Sequence, residues 1–298
     1  MEFVDIAPGF IIGLREGIEA ALVIGIVLGY LAKVERKDLN RHVYAGTVGA
    51  IVASAGVAAV LFLVSGGLPE SVEPLFEGFA MVLAVAVLTS MLFWMMTAAK
   101  NIKAHVQVRL DSLLSQPQKI GLVVLSFIMV FREGVETALF MYGAGALTTP
   151  AASVIGAAIG LVIAGALGVG IVRASWRINL KRFFQVTGIV LVIIAAGLFA
   201  NGIHELQEGF GWTLGSAVLY DWSAVLSDGE ASLLGSLLHG IIGYRDAPTI
   251  LEAVAYLAYW AFAVLLYLGI RTGRLNAVIA LFRRPREQPA GTLKTETG

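Results

Sequence analysis

Long apolar runs alternate along this chain with short polar stretches. A bilayer span needs about 20 mostly apolar residues, and seven runs meet that length, at roughly 8 to 32, 43 to 65, 75 to 97, 120 to 143, 151 to 172, 182 to 204 and 249 to 270. The pattern predicts an all-α, polytopic membrane protein with seven transmembrane helices. The stretch from about 205 to 248 breaks the alternation, being too long for a plain connector and carrying Trp212, Tyr220, Trp222 and the apolar run Leu233 to Ile242. It is expected to fold as short helices along the outer interface, where tryptophan and tyrosine collect. Residues 99–116 and 273–284 read as interfacial amphipathic helices with basic faces, and the last dozen residues, with Pro285, Pro289 and Gly291, as a disordered tail. On this division the transmembrane domain covers 1–272, and 273–298 is a cytoplasmic basic segment and tail.

Composition agrees with the pattern. Of 298 residues 58% are hydrophobic and 14% charged, with a mean hydropathy of +0.83, outside the range of ordinary soluble domains. Nothing in this balance suits a nucleic-acid partner; the expected surroundings are membrane lipid. There is no cysteine, so no disulfide, thiolate site or cysteine nucleophile is available. A bound metal would depend on carboxylate, imidazole, hydroxyl or carbonyl groups, which favours a hard cation. No cleavable signal peptide is expected, because Met1 is followed by Glu2 and Asp5 and the first run is long enough to span.

The placement of charge carries orientation. Of the 21 basic residues, 18 lie in the first, third and fifth linkers and the tail, from Lys33, Arg36, Lys37 and Arg41 through to Lys294. The opposite side holds Arg245 alone. By the positive-inside rule the N-terminus is outside and the C-terminus cytoplasmic. The outer side is acidic, with Glu70, Glu73 and Glu77 at the third run, Glu205 and Glu208 after the sixth, and Asp221, Asp228, Glu230 and Asp246 beyond. Such an excess of carboxylates concentrates cations at an entrance, although acidic residues are also simply tolerated on that side.

The remaining two basic residues stand inside apolar runs, in Arg15-Glu16-Gly17-Ile18-Glu19 and Arg132-Glu133-Gly134-Val135-Glu136. Ionisable groups are costly there and point to function. With about 100° between successive helical residues, each arginine and its two glutamates share one stripe. The motifs lie 117 positions apart with three runs between them, so their helices cross the bilayer in opposite directions. Phe76-Glu77 with Met81-Val82-Leu83 also matches Phe184-Gln185 with Ile189-Val190-Leu191, more weakly. The chain reads as two inverted three-helix repeats, about 8–97 and 120–204, followed by the outer loop and a seventh helix at about 249–270. Inverted repeats with a midplane site are common among secondary transporters.

Glu16, Glu19, Glu133 and Glu136 would then offer four carboxylates to one central space, as carboxylate bundles do for iron and manganese. Arg15 and Arg132 bring the ionised cluster to a net charge of −2, which a divalent or trivalent cation would largely neutralise. A purely structural role, each arginine locked to its own glutamate, leaves the second glutamate of each motif unexplained. Gly9, Gly13 and Gly17 recur every four residues and read as a close-packing helix face.

His204-Glu205-Leu206-Gln207-Glu208 closes the sixth run. Its last residue is glutamate where a zincin helix needs histidine, so a protease is not indicated. A receiving site for ions at the outer entrance, formed by Glu73, Glu77, His204, Glu205 and Glu208, stands beside a bland interfacial role. His42, His105 and His239 read as solvated or interfacial.

The doubled Arg-Glu-Gly-Xaa-Glu, the His-Glu-Leu-Gln-Glu segment and the order of seven runs resemble the oxidase-dependent iron permease family, which includes fungal high-affinity iron permeases and bacterial ferrous-iron permeases of the EfeU type. The resemblance covers about Phe10 to Arg271. It implies a permease and not an enzyme, in the cell membrane, with iron as the transported substrate and no permanently bound cofactor. Glu16, Glu19, Glu133 and Glu136 would be transport ligands, with Arg15 and Arg132 as their charge partners. It also implies an extracytoplasmic redox partner, a haem peroxidase or multicopper oxidase, and an iron-binding protein. Ferrous and ferric substrates both remain open. The alternatives are a transporter of another divalent cation, manganese or lead, and a membrane-embedded metal-dependent hydrolase built on His204 and Glu205.

Overall fold

The computed structural model describes residues 3–98, 110, 120–174, 179–227 and 232–272. Each apolar run forms one long helix: α1 (Phe3–Lys33), α2 (Asn40–Ser65), α3 (Glu73–Ala98), α4 (Ile120–Leu147), α5 (Pro150–Ala174) and α6 (Leu180–Phe210). A short helix, α7 (Leu233–Ile242), precedes the last long one, α8 (Ile250–Arg271). Among the described residues the fold is all-helical, with only an isolated antiparallel bridge between Val218 and Thr249. Five helices, α2, α3, α5, α6 and α8, are long and apolar enough to cross a membrane. Helices α1 and α4, at 31 and 28 residues, are as long but carry the two charged motifs.

Helix ends differ from the apolar runs where local capping outlasts hydrophobicity. Helix α1 starts at Phe3, with Asp5 in its first turn, where a carboxylate suits the positive end of the helix dipole. Helix α6 continues through the His204–Glu208 segment and stops at Gly211, which takes a left-handed φ of 65°. Asn179 caps its start by accepting from the Arg182 N–H, and Thr249 caps α8 by accepting from the Glu252 N–H.

Apolar burial offers little drive between helices in lipid, so small residues and close backbone approach decide which helices pair. Helices α1 and α5 run parallel in such a seam. A methyl group at Gly9 or Gly13 would strike the backbone of Ser153 or Ala157, and one at Gly17 would strike Ala164. Helices α2 and α4 form a second parallel seam, with Gly46 against Val123 and Ser126, and Gly134 against Ser54. Helix α3 meets α6 antiparallel, with Gly78 against Leu206 and Gly209 against Leu75. Because α5 turns back on α4 through Thr148 and Thr149, α1 and α4 also run antiparallel.

One buried cluster joins Ile12, Met81, Leu88, Met91, Phe140, Leu191, Ile194 and Tyr259, tying α1, α3, α4, α6 and α8 together. A second, Val27, Leu31, Leu39, Val43, Leu110, Leu122 and Leu125, closes the other end around α1, α2 and α4. The outward faces of α2 and α8 stay apolar, with Val48, Ile51, Val52 and Leu63 on one and Val254, Leu257, Phe262 and Leu265 on the other all exposed. These are surfaces for lipid.

The outer loop differs from its expected course. It begins only after Phe210, and its one helix among the described residues, α7, packs against α1 and α6. Gly243, at a left-handed φ of 72°, presses on Gly197 midway along α6, and Gly240 lies near Pro8 and Thr148. Only glycine allows that contact, since a side chain on either residue would overlap the other backbone. Trp212 and Trp222 do remain exposed. The amphipathic helices expected at 99–116 and 273–284 and the tail lie outside the described residues, apart from Leu110.

Candidate ion site

Both charged motifs sit on uninterrupted helix, so each residue pair keeps helical spacing. Arg15 Nη1 donates to Glu16 Oε1 at 2.7 Å, and Nη2 lies 3.1 Å from Glu19 Oε1, four residues on. Across the antiparallel contact with α4, one carboxylate oxygen from each of Glu16, Glu19 and Glu133 comes within 4.8 Å of the others. Glu136 lies near enough for its charge to act on Glu16 and Glu19, and its Oε1 accepts from Arg132 Nε at 2.8 Å.

Most of the group is closed off from solvent. Arg15 and Glu16 are each 1% exposed, and Glu133 and Glu136 are buried too. One oxygen on each of Glu16, Glu133 and Glu136 is buried without a hydrogen-bond partner among the described residues. Buried acceptors in that condition are unfavourable unless a cation or water meets them. Converging carboxylates, three of them held by arginine and three with a spare oxygen, suit a cation that must be accepted and released.

The two motifs are not equivalent in detail. Arg15 is enclosed, and α3 adds the sulfurs of Met91 and Met95 to its contacts. Arg132 has a side chain 46% exposed, forms its one ion pair among the described residues with Glu136, and lies 5.4 Å from the Trp94 ring centroid on α3. Helix α3 passes over both motifs, and the residues it presents differ from one to the next.

At the end where α3 begins and α6 finishes, four of the five residues grouped in the sequence come together. Glu77 interacts electrostatically with Glu205 and Glu73, and Glu205 with Glu208 and Glu73, so these four carboxylates gather where α3 and α6 begin and end. Tyr142 stands beneath them, between the rings of Phe62 and Phe76. His204 is engaged elsewhere. Its Nδ1 lies 2.7 Å from Glu252 Oε1 on α8, whose side chain is 4% exposed and which also receives Thr249 Oγ1 at 3.1 Å. Arg245 Nη1 reaches the same oxygen at 3.5 Å and Asn201 at 3.4 Å. Glu252 is not among the residues that the sequence pattern singled out, although Thr249-Ile250-Leu251-Glu252 has the spacing of a capping box and puts a carboxylate inside an apolar run. In the loop itself, Asp221 is held below the usual carboxylate range by the hydroxyl and N–H of Ser223, at 2.6 and 3.0 Å.

Comparison with known proteins gives the family of the chain. The chain is 33% identical over 277 residues to a protein named ferrous iron permease EfeU from Yersinia pestis, covering 92% of this chain and 98% of that one. It is 34% identical over 252 residues to ferrous iron permease EfeU of Escherichia coli O6:K15:H31, covering 84% and 91%. A protein of Escherichia coli K12 named putative inactive ferrous iron permease EfeU matches to the same extent. No solved structure matches. Residues 7–280 match the Iron permease FTR1 family, and the chain belongs to that family.

Proposed function

We propose that this protein imports ferrous iron across the cell membrane through the buried carboxylate group of α1 and α4. It is a multi-pass membrane permease and not an enzyme. The observation that carries the substrate route is the convergence of Glu16, Glu19 and Glu133 from two antiparallel helices to within 4.8 Å. Glu136 completes the set from beside Arg132. The relatives are named ferrous iron permeases, and ferrous iron, with two charges, matches the net charge of four carboxylates and two guanidiniums.

Packing supports the inverted-repeat reading. Exchange α1, α2 and α3 for α4, α5 and α6, and the parallel α1–α5 seam becomes the parallel α4–α2 seam. The antiparallel α1–α4 and α3–α6 contacts map onto themselves. This is the pattern of two three-helix repeats related by an axis through the site, with α8 as a seventh span outside the exchange. Glu73, Glu77, Glu205 and Glu208 would collect ions at the outer end, and the central carboxylates would receive them. An extracytoplasmic haem peroxidase or multicopper oxidase, with an iron-binding protein, is the expected redox partner.

The test is uptake of radiolabelled iron. Glu16→Gln and Glu133→Gln should each abolish it at unchanged protein level, while Glu35→Gln in the exposed α1–α2 linker should not. Normal uptake in both motif variants would overturn the assignment.

A further inference from the structure

The carboxylates account for one side of the central site only. Met91 and Met95, one helical turn apart on α3, form the other side, turning their sulfurs to Arg15 at 3.1 Å from Nη1 and 3.2 Å from Nη2. The same two nitrogens face carboxylate oxygens, Nη1 that of Glu16 and Nη2 that of Glu19. The guanidinium is therefore a cation in a cage of two carboxylate oxygens and two thioether sulfurs, sealed from solvent.

Packing alone does not call for sulfur there. Leucine fills a core at similar volume, and Leu88 and Leu92 do so in adjoining turns of α3. A thioether is a poor acceptor for N–H, so leaving an arginine with two of them gains little for the arginine. What a thioether offers is polarisability and softness toward metals. The chain has no cysteine, so methionine is its only source of sulfur, and a neutral one that leaves the charge balance of the site unchanged.

Resting on the reading of this site as the iron route, we propose that Met91 and Met95 determine ion specificity. When iron displaces the Arg15 guanidinium from Glu16 and Glu19, it enters a mixed oxygen and sulfur cage. Carboxylates alone suit magnesium, calcium and manganese as well as iron; adding thioethers shifts preference toward the softer ferrous ion. The two methionines would thus let ferrous iron through in the presence of harder divalent cations that the glutamates by themselves would accept.

The full chain, reconstituted in liposomes under anaerobic conditions, tests this with ferrous iron as substrate and manganese and magnesium as competitors. Met91→Leu with Met95→Leu should lower the preference for iron over manganese by roughly tenfold, the low end of what losing a partner of a metal site costs, and each single variant should fall between. The iron K-edge absorption of the ferrous-loaded wild-type protein should show a sulfur shell that the double variant lacks. An unchanged preference in the double variant, or an oxygen-only shell in the wild type, would overturn the proposal. Should the double variant not fold, the single variants and the wild-type absorption spectrum still decide. Glu16→Gln in the same vesicles separates the two levels: inactive, it leaves the carboxylate route standing whatever the methionines do; active, it removes that route and this proposal with it.

Discussion

Arg15 and Arg132 hold the same place in two copies of one motif, yet only Arg15 is sealed among two glutamates and two methionines. A lysine ammonium at position 15 could not face both carboxylates with parallel donors as the planar guanidinium does. Arg15→Lys is therefore expected to reduce iron uptake by roughly tenfold or more, and Arg132→Lys, at a half-exposed position with one carboxylate partner among the described residues, to retain most of it. Wild-type uptake in both, measured as initial rate per unit protein, would mean that charge and not geometry is what the arginines supply, and equal loss in both would mean that the planar guanidinium matters as much at Arg132 as at Arg15. Residue-scale chemistry was legible in the sequence where it broke a rule: arginine and glutamate inside an apolar run are conspicuous because lipid makes them costly. Met91 and Met95 break no rule. A methionine facing a guanidinium and one facing a leucine read alike in a hydrophobic run, and only the three-dimensional packing tells them apart.

At the scale of elements, the long helices follow the apolar runs because backbone groups in lipid can be satisfied only within a helix. Their ends and partners needed the structure. Helix α6 extends past its apolar run as far as Gly211, and its packing against α8 places His204, the last residue of the run, against Glu252. Removing one member of a buried charged group leaves the others without a partner. Glu252→Ala should therefore destabilise the protein by about 3 kcal/mol, seen as a lower unfolding temperature in detergent, while Glu208→Ala, at an exposed position, should leave it unmoved. The glycine spacing on α1 announced a packed face without revealing its partner. That face meets α5, and Gly13→Ala is expected to destabilise by about 2 kcal/mol, since the added methyl meets backbone that cannot give way easily. Gly29 on the same helix has nothing within 4 Å of an added methyl. Gly29→Ala should leave the unfolding temperature unchanged, and a matching loss at both positions would mean that α1 is sensitive to any side chain, not to the α5 seam.

Over the whole molecule, the two seams, the antiparallel motif helices and the charge asymmetry point to one arrangement in the membrane. The described ends that carry Lys33, Arg36, Lys37, Arg41, Arg182 and Arg271 lie opposite those that carry Glu73, Glu77, Glu205 and Glu208. By the positive-inside rule the first set is expected in the cytoplasm, which would turn the acidic gathering outward, where it would concentrate cations before the central site. Because the chain has no cysteine, any introduced cysteine is its sole thiol and reports its own side of the membrane. Ser71→Cys lies in the exposed turn between α2 and α3, and Asp38→Cys in the exposed turn between α1 and α2. In intact spheroplasts a membrane-impermeant maleimide is expected to label Ser71→Cys at once and Asp38→Cys only after lysis. The reverse pattern would invert the orientation and turn the acidic end into an exit. Labelling of both from outside would mean that α2 does not span, and with it the exchange of α1–α5 for α4–α2 on which the inverted repeat rests would fail.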